Sequence, residues 1–461
     1  MAACDEPTCK YARESGRSGL GVVELGQEAD AHGFAPFLAG RVGGSGRFAT
    51  WHRIGAYPTV VRGDEDRVSS LQRGALTNAD SFLPFALPDI GEEEIEAVAE
   101  AMRSGWLTSG PRVAAFEREF AEFLGGDVHA VAMNSATAGL HLALEAVGVG
   151  PGDEVIVPTW TFTATAEVVR YLGANPVIVD VDPVTLNIDL DAATAAITPR
   201  TKAIIPVHFA GLAVDRQGIA KLADKHGLRV VEDAAHAFTT VSAGDPVGRG
   251  SSDAVVFSFY ATKTMTTGEG GMVVTSDEQI AARIHTMRLH GISHDVFDRY
   301  RSAVPSWRYE VIAPGYKYNL TDPAAAMGRV QLRRSGEMRD KRAAIAARYD
   351  EAFSGLPLQL PAHAAEGDTH AWHLYVTRLA EGATVGRDAF IAGMAQAGVG
   401  CSVHFIPLHM HPYWRAQCQL DDTQFPVATA EFANVVSLPI FSSMTGAQID
   451  KVIETVCRVL S

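Results

Sequence analysis

Phe257-Ser258-Phe259-Tyr260-Ala261-Thr262-Lys263, running on into Thr267-Gly268-Glu269-Gly270-Gly271, is the stretch on which the fold turns. The strand-like run Ala254-Val255-Val256-Phe257 feeds a single lysine, and a glycine-rich turn follows at once. Upstream, a second apolar run, Leu228-Arg229-Val230-Val231, ends in Glu232-Asp233-Ala234-Ala235-His236. A carboxylate at one strand end and a lone lysine at a neighbouring one meet the two demands of pyridoxal phosphate. Its aldehyde needs an amine, and its ring nitrogen needs an anion to stay protonated. Lys263 is the expected amine and Asp233 the expected anion.

Outward from this pair, β-branched runs alternate with helical patterns. Strands are expected at residues 128–133, 154–157, 176–180, 202–207, 230–232, 255–257 and 272–274, with helices at 113–124 and 138–147 among them. The alternation predicts an α/β fold whose mostly parallel central sheet is sandwiched by helices. Ligands of such sheets sit beyond the carboxyl ends of the strands. Residues 134–137, 160–162, 233–236 and 258–263 are therefore expected at one rim. A helix opening with Glu92, Glu93 and Glu94 is expected to turn Ile95, Val98, Ala99 and Met102 inward and to end at Gly105. A long helix over 324–353 leads to strands at 372–379 and 400–405, a helix at 387–397 and a closing helix at 447–460. This division makes residues 1–80 a poorly ordered extension, 81–323 a large cofactor-binding domain and 324–461 the long helix with a smaller C-terminal α+β domain.

The bulk numbers limit the function classes. A chain of 461 residues exceeds the size at which one core stops growing. Its net charge of −15 argues against nucleic acid or an anionic membrane as partner, because either demands a basic patch. The longest apolar runs are strand-length and the opening residues lack a charged-then-apolar pattern, so neither a spanning helix nor secretion is expected. Five scattered cysteines, an odd number, suggest reduced thiols and a cytoplasmic protein.

A phosphate also needs donors. Ala136 and Thr137 open a helix whose first backbone amides are free, and Ser258 adds a hydroxyl. Phe162 is placed to stack on the cofactor ring, and His236 to hydrogen-bond its 3-oxygen or pack beneath it. A free lysine, with a pKa near 10.4, is a poor nucleophile; a desolvated site beside a cationic ring lowers that value. The histidines of His404-Phe405-Ile406-Pro407-Leu408-His409-Met410-His411 are not read as metal ligands, since Pro407 breaks any helix that would pair them. They are read as a substrate-lining loop.

From about residue 82 onward the chain resembles the DegT/DnrJ/StrS family of sugar-nucleotide aminotransferases. The matching segments are Gly105-Trp106-Leu107-Thr108-Ser109-Gly110-Pro111, Pro151-Gly152-Asp153-Glu154-Val155-Ile156-Val157-Pro158 and Pro206-Val207-His208, followed by the lysine, aspartate and glycine motifs above and His404-Phe405-Ile406-Pro407-Leu408-His409. The resemblance implies a fold-type I pyridoxal phosphate enzyme, a homodimer with shared active sites, that moves an amino group from glutamate to a keto carbon of a nucleotide-linked deoxysugar. It puts the cofactor-bearing lysine at Lys263, the ring-nitrogen aspartate at Asp233, the phosphate serine at Ser258, the phosphate-binding backbone at Ala136 and Thr137, and the stacking aromatic at Phe162. Lys317, with Asn319 nearby, would reach the neighbour's cofactor phosphate or the sugar nucleotide, and His404 the substrate. The chain departs from the family's usual Ser-Gly-Thr-Ala-Ala turn, reading Ser135-Ala136-Thr137-Ala138-Gly139. His236 replaces a common glutamine, which tilts the reading toward amination at C4 of a UDP-sugar. The alternatives are a dehydratase of the same fold, in which histidine replaces the lysine, and a non-catalytic regulator, which would be expected to lose Lys263 or Asp233.

Overall fold

The computed structural model describes residues 82–292 and 309–461. The expected extension over 1–80 lies outside the described residues. After α1 (Glu92–Arg103) and α2 (Pro111–Phe123), strands and helices alternate. They run β1 (His129–Met133), α3 (Ala136–Ala146), β2 (Glu154–Pro158), α4 (Ala164–Tyr171), β3 (Asn175–Val179), α5 (Leu190–Ala195), β4 (Thr201–Ile204), α6 (Arg216–His226) and β5 (Arg229–Asp233). A short ribbon of β6 (Val241–Ser242) and β7 (Asp245–Pro246) precedes β8 (Ala254–Ser258), β9 (Gly271–Thr275) and α7 (Glu278–Met287). Seven strands form one sheet in the order β1-β9-β8-β5-β4-β2-β3. Only β9 runs against its neighbours; the other pairings within β8-β5-β4-β2-β3 are parallel, as the alternation predicts.

Burial follows from this layering. Strands β2, β8 and β9 are buried along their whole length, as a sheet covered on both faces requires. Ala143, Val168 and Ile284 from α3, α4 and α7 pack in one core with Val157 and Val256. Phe116 and Phe120 of α2 pack in another with Val255, Phe257 and Phe259.

The remaining elements begin with α8 (Asp322–Phe353), its Pro323 in the first turn where a missing N–H costs nothing. Ile345, Tyr349 and Phe353 near its end join a separate apolar cluster with Tyr375, Phe390, Leu438 and Val452. That cluster packs a three-stranded antiparallel sheet, β10 (Leu358–Gln359), β11 (Tyr375–Leu379) and β12 (Val435–Leu438), against α9 (Arg387–Gln396) and α10 (Gly446–Leu460).

Two expectations fail and a third is met only in part. Helix α1 turns Glu94 and Ala101 inward and leaves Ile95 and Met102 exposed. The inward carboxylate wins because it is fully matched. It accepts from the Gly91 N–H at 2.9 Å and Gln331 Nε2 at 2.7 Å, and pairs with Arg334. Residues 400–405 form no strand either. Ser402 exchanges one pair of backbone bonds with Ser437, and the chain then leaves the sheet. The expected strand over 372–379 starts only at Tyr375, since Trp372 adopts a left-handed φ of 48°.

Candidate active site

Strand register assembles the site. Asp233 pairs with Val256, two residues before Ser258, and Ser258 and Met133 both lie opposite Gly271. The ends of β1, β5 and β8 thus meet at one rim. A Cβ on Gly271 would lie 2.7 Å from the Ala136 nitrogen, so only glycine lets β9 approach the turn that opens α3. Ser135 caps that helix by accepting from the Ala138 N–H at 3.1 Å. The N–H groups of Ala136 and Thr137 find no partner among the described residues.

A cavity of about 510 Å³ opens at this rim. It is lined by Ala136, Thr137, Phe162, Asp233, His236, Ser258, Lys263 and His404 together. Lys263 and Asp233 therefore face one space, as the sequence reading requires. Burial lowers the Lys263 ammonium to about 8, against the raising pull of Asp233. Burial raises the Asp233 carboxyl above the usual range, opposed by a hydrogen bond from Thr165 (2.8 Å, to Oδ2), one from the Ala235 N–H (3.1 Å, to Oδ1) and the charge of Lys263. Beneath it, fully buried Glu232 is held at about 2. Burial would raise it, but His208 Nε2 at 2.8 Å, Arg216 and Ser252 more than offset that.

His236 is buried and held well below 6.5 by burial and the nearby Lys263 charge. Its Nδ1 accepts from the Ala210 N–H at 3.3 Å, so the proton of the neutral ring sits on Nε2. Phe162 is 59% exposed, which excludes a core role for it. Of the histidine loop, His404 and Phe405 line the cavity, whereas His409 is buried between Thr159 and Thr429. Lys317 and Asn319 do not line the cavity of their own chain. Lys317 is exposed, and Asn319 Nδ2 donates to Ser109 Oγ at 2.8 Å.

Sequence reasoning missed Thr165 and His373, and gave Thr161 no role although it placed residues 160–162 at the rim. The two threonines and Asp233 are hydrogen-bonded in series, and His373 lines the cavity with its ring 4.4 Å from that of His236. The link from Thr165 to Asp233 spans 68 residues, and nothing local announces it.

Free amides and a hydroxyl at one end, a lysine, and an oriented buried carboxylate fit pyridoxal phosphate, and the fold with this site defines a pyridoxal phosphate-dependent aminotransferase of sugars. The chain belongs to the DegT/DnrJ/EryC1/StrS aminotransferase family, whose model matches residues 88–457. It is 48% identical over 377 residues to the spore coat polysaccharide biosynthesis protein SpsC of Bacillus subtilis (strain 168), covering 81% of this chain and 96% of SpsC. Its fold is similar to that of Spr1654 from Streptococcus pneumoniae, solved in a PMP-form (TM-score 0.76, 35% identity, 82% of this chain, 98% of that one) and in a PLP-form. It is also similar to the sugar aminotransferase CalS13 from Micromonospora echinospora (TM-score 0.72, 30% identity, 81% of this chain, 98% of that one).

Proposed function

We propose that this enzyme moves the amino group of glutamate to the C4 keto carbon of a nucleotide-linked deoxysugar, in the cytoplasm, for polysaccharide or glycoconjugate biosynthesis. The observation that carries the reading is the convergence of Lys263 and Asp233 on one cavity that ends in the unpaired amides of Ala136 and Thr137. Pyridoxal phosphate bound there supplies an aldehyde that carries the amino group and a ring that withdraws electrons. Ala136, Thr137 and Ser258 would hold its phosphate, Asp233 its ring nitrogen, His236 Nε2 its 3-oxygen and Phe162 its face. Lys263, with an amine near 8, takes and returns a proton at Nζ close to neutral pH.

The C4 assignment leans on His236 standing where glutamine is common, and the biosynthetic role on the similarity to SpsC. Shared sites in a homodimer fit two features. Phe162 and Tyr260 line the cavity yet stay 59% and 47% exposed, and Lys317 is exposed and does not line the cavity of its own chain. The test is a panel of 3-keto and 4-keto sugar nucleotides offered with glutamate, read by the mass of the aminated product. A 4-keto product with stoichiometric 2-oxoglutarate is expected. Amination of 3-keto sugars alone would overturn the regiochemistry, and turnover by Lys263→Ala would overturn the mechanism.

A further inference from the structure

Two hydroxyls lead from Asp233 to a second point on the cavity wall. Thr161 lines the cavity and is 2% exposed, while Thr165, in the first turn of α4, is fully buried. Thr165 Oγ1 donates to Asp233 Oδ2 at 2.8 Å, and Thr161 Oγ1 lies 2.8 Å from Thr165 Oγ1. Either hydroxyl could be the donor in the second contact taken alone. The carboxylate removes that freedom, because an ionised Asp233 has only lone pairs to offer. Thr165 must give its one proton to Asp233, and its oxygen then takes the proton of Thr161. Only a proton on Oδ2 itself would run the series in reverse, so a donor at Thr165 opposes protonation of that oxygen. Hydrogen bonds in such a series polarise each other, and the effect grows where water is excluded. The second carboxylate oxygen is held independently by the Ala235 N–H at 3.1 Å.

We propose that Thr161 and Thr165 are positioning residues, a one-way hydroxyl chain that keeps Asp233 ionised and aimed at the ring nitrogen of the cofactor. The inference rests on the reading of Asp233 given under Proposed function. It assigns a purpose to the four-residue spacing of the threonines, which places the first at the cavity wall and the second in the first turn of α4, within reach of Asp233 at the end of β5.

The test uses Thr165→Val and Thr161→Val, which remove one hydroxyl each at nearly constant shape, Thr165→Ser, which restores the first, and Asp233→Asn as reference. Two quantities are read on the full chain. One is the dissociation constant of pyridoxal phosphate from cofactor-free protein; the other is the ¹⁵N shift of ring-labelled cofactor, which reports whether the nitrogen is protonated. Thr165→Val should weaken binding about tenfold and move the ¹⁵N signal toward the unprotonated ring, as expected for one lost hydrogen bond to a charged group. Thr161→Val should cost about threefold, and Thr165→Ser should stay within about twofold of the parent. If both valine variants bind cofactor like the parent with a protonated ring while Asp233→Asn loses both properties, the hydroxyl chain is overturned and the Asp233 reading stands. If Asp233→Asn also changes nothing, the Asp233 reading is overturned and this proposal with it. Should Thr165→Val fail to fold, Thr161→Val at the cavity wall decides the matter with the same readouts.

Discussion

In cofactor-free protein, Lys263 should behave as an amine that titrates near 8, and this can be measured directly. Burial lowers it from 10.5 to about 8, and the charge of Asp233 pulls it back up. At pH 7 an amine titrating at 8 is about 10% neutral, whereas one at 10.5 is about 0.03% neutral. Only the neutral form attacks an electrophile, so at pH 7 the reactive fraction of Lys263 is about 300-fold that of an ordinary lysine. At equal access it should be modified faster by a smaller factor, because a less basic amine is a weaker nucleophile. Competitive labelling with a small amine reagent, quantified peptide by peptide by mass spectrometry from pH 6 to 10, reads this directly. The Lys263 profile should have its midpoint near 8, and Asp233→Asn should move it lower, since it deletes the charge that favours the ammonium. A midpoint above 10, or an upward move in Asp233→Asn, would refute the electrostatic account. Stability follows the same shift with a defined sign. The unfolded chain holds the Lys263 proton up to about 10.5 and the folded chain only to about 8, so the folded state carries a cost below 8. That cost disappears between those values, and the cofactor-free protein should gain at most about 3 kcal/mol across the window.

Glu232 gives the opposite sign. Its folded value near 2 against 4.5 unfolded contributes about 3 kcal/mol above pH 4.5, lost as pH falls toward 2. Denaturant titrations at pH 5 and pH 3 should show about 2 kcal/mol of that loss in the parent and a flatter profile in Glu232→Gln. Gly271→Ala should weaken pyridoxal phosphate binding by more than about tenfold in a fluorescence titration, because its Cβ would press on the Ala136 nitrogen proposed to bind the phosphate. Phe162→Ala should leave stability within about 0.5 kcal/mol, as for other exposed side chains, while lowering affinity for cofactor or sugar nucleotide. A loss of several kcal/mol in its thermal or denaturant midpoint would instead make it a core aromatic.

The reactive centre was legible because it is built from strand ends. A parallel sheet puts its carboxyl termini on one rim, so finding the β-branched runs was enough to bring Asp233, Ser258 and Lys263 together without a side-chain contact being known. What supports that centre was not legible, because it is made of pairings between elements far apart in sequence. Thr165 with Asp233 and His208 with Glu232 are such pairs. The inward face of α1 misled for a related reason. Spacing alone favours Ile95 and Met102, but the helix faces Gln331 and Arg334 of α8, and a matched carboxylate there outweighs an apolar side chain. Residues 400–405 have the composition of a strand, yet they pair with the small sheet at Ser402 alone and carry His404 and Phe405 to the cavity instead.

The departure from the family's usual phosphate turn has a physical counterpart on the sheet. In Ser135-Ala136-Thr137-Ala138-Gly139 the glycine stands four residues after the cap, where α3 crosses β8 and β9. A Cβ on Gly139 would lie 2.8 Å from Val256 Cγ1 and 3.0 Å from Val273 Cγ2, so the helix rests on the sheet more closely than any side chain at that position permits. Val256 is also the register partner of Asp233. Close contact at Gly139 therefore ties the helix that offers its first amides to the strand pair that presents the carboxylate. Phosphate donors need only backbone N–H groups, which alanine supplies as well as glycine at position 136. The side-chain-free position is needed where the helix meets the sheet, and that is where this chain keeps it.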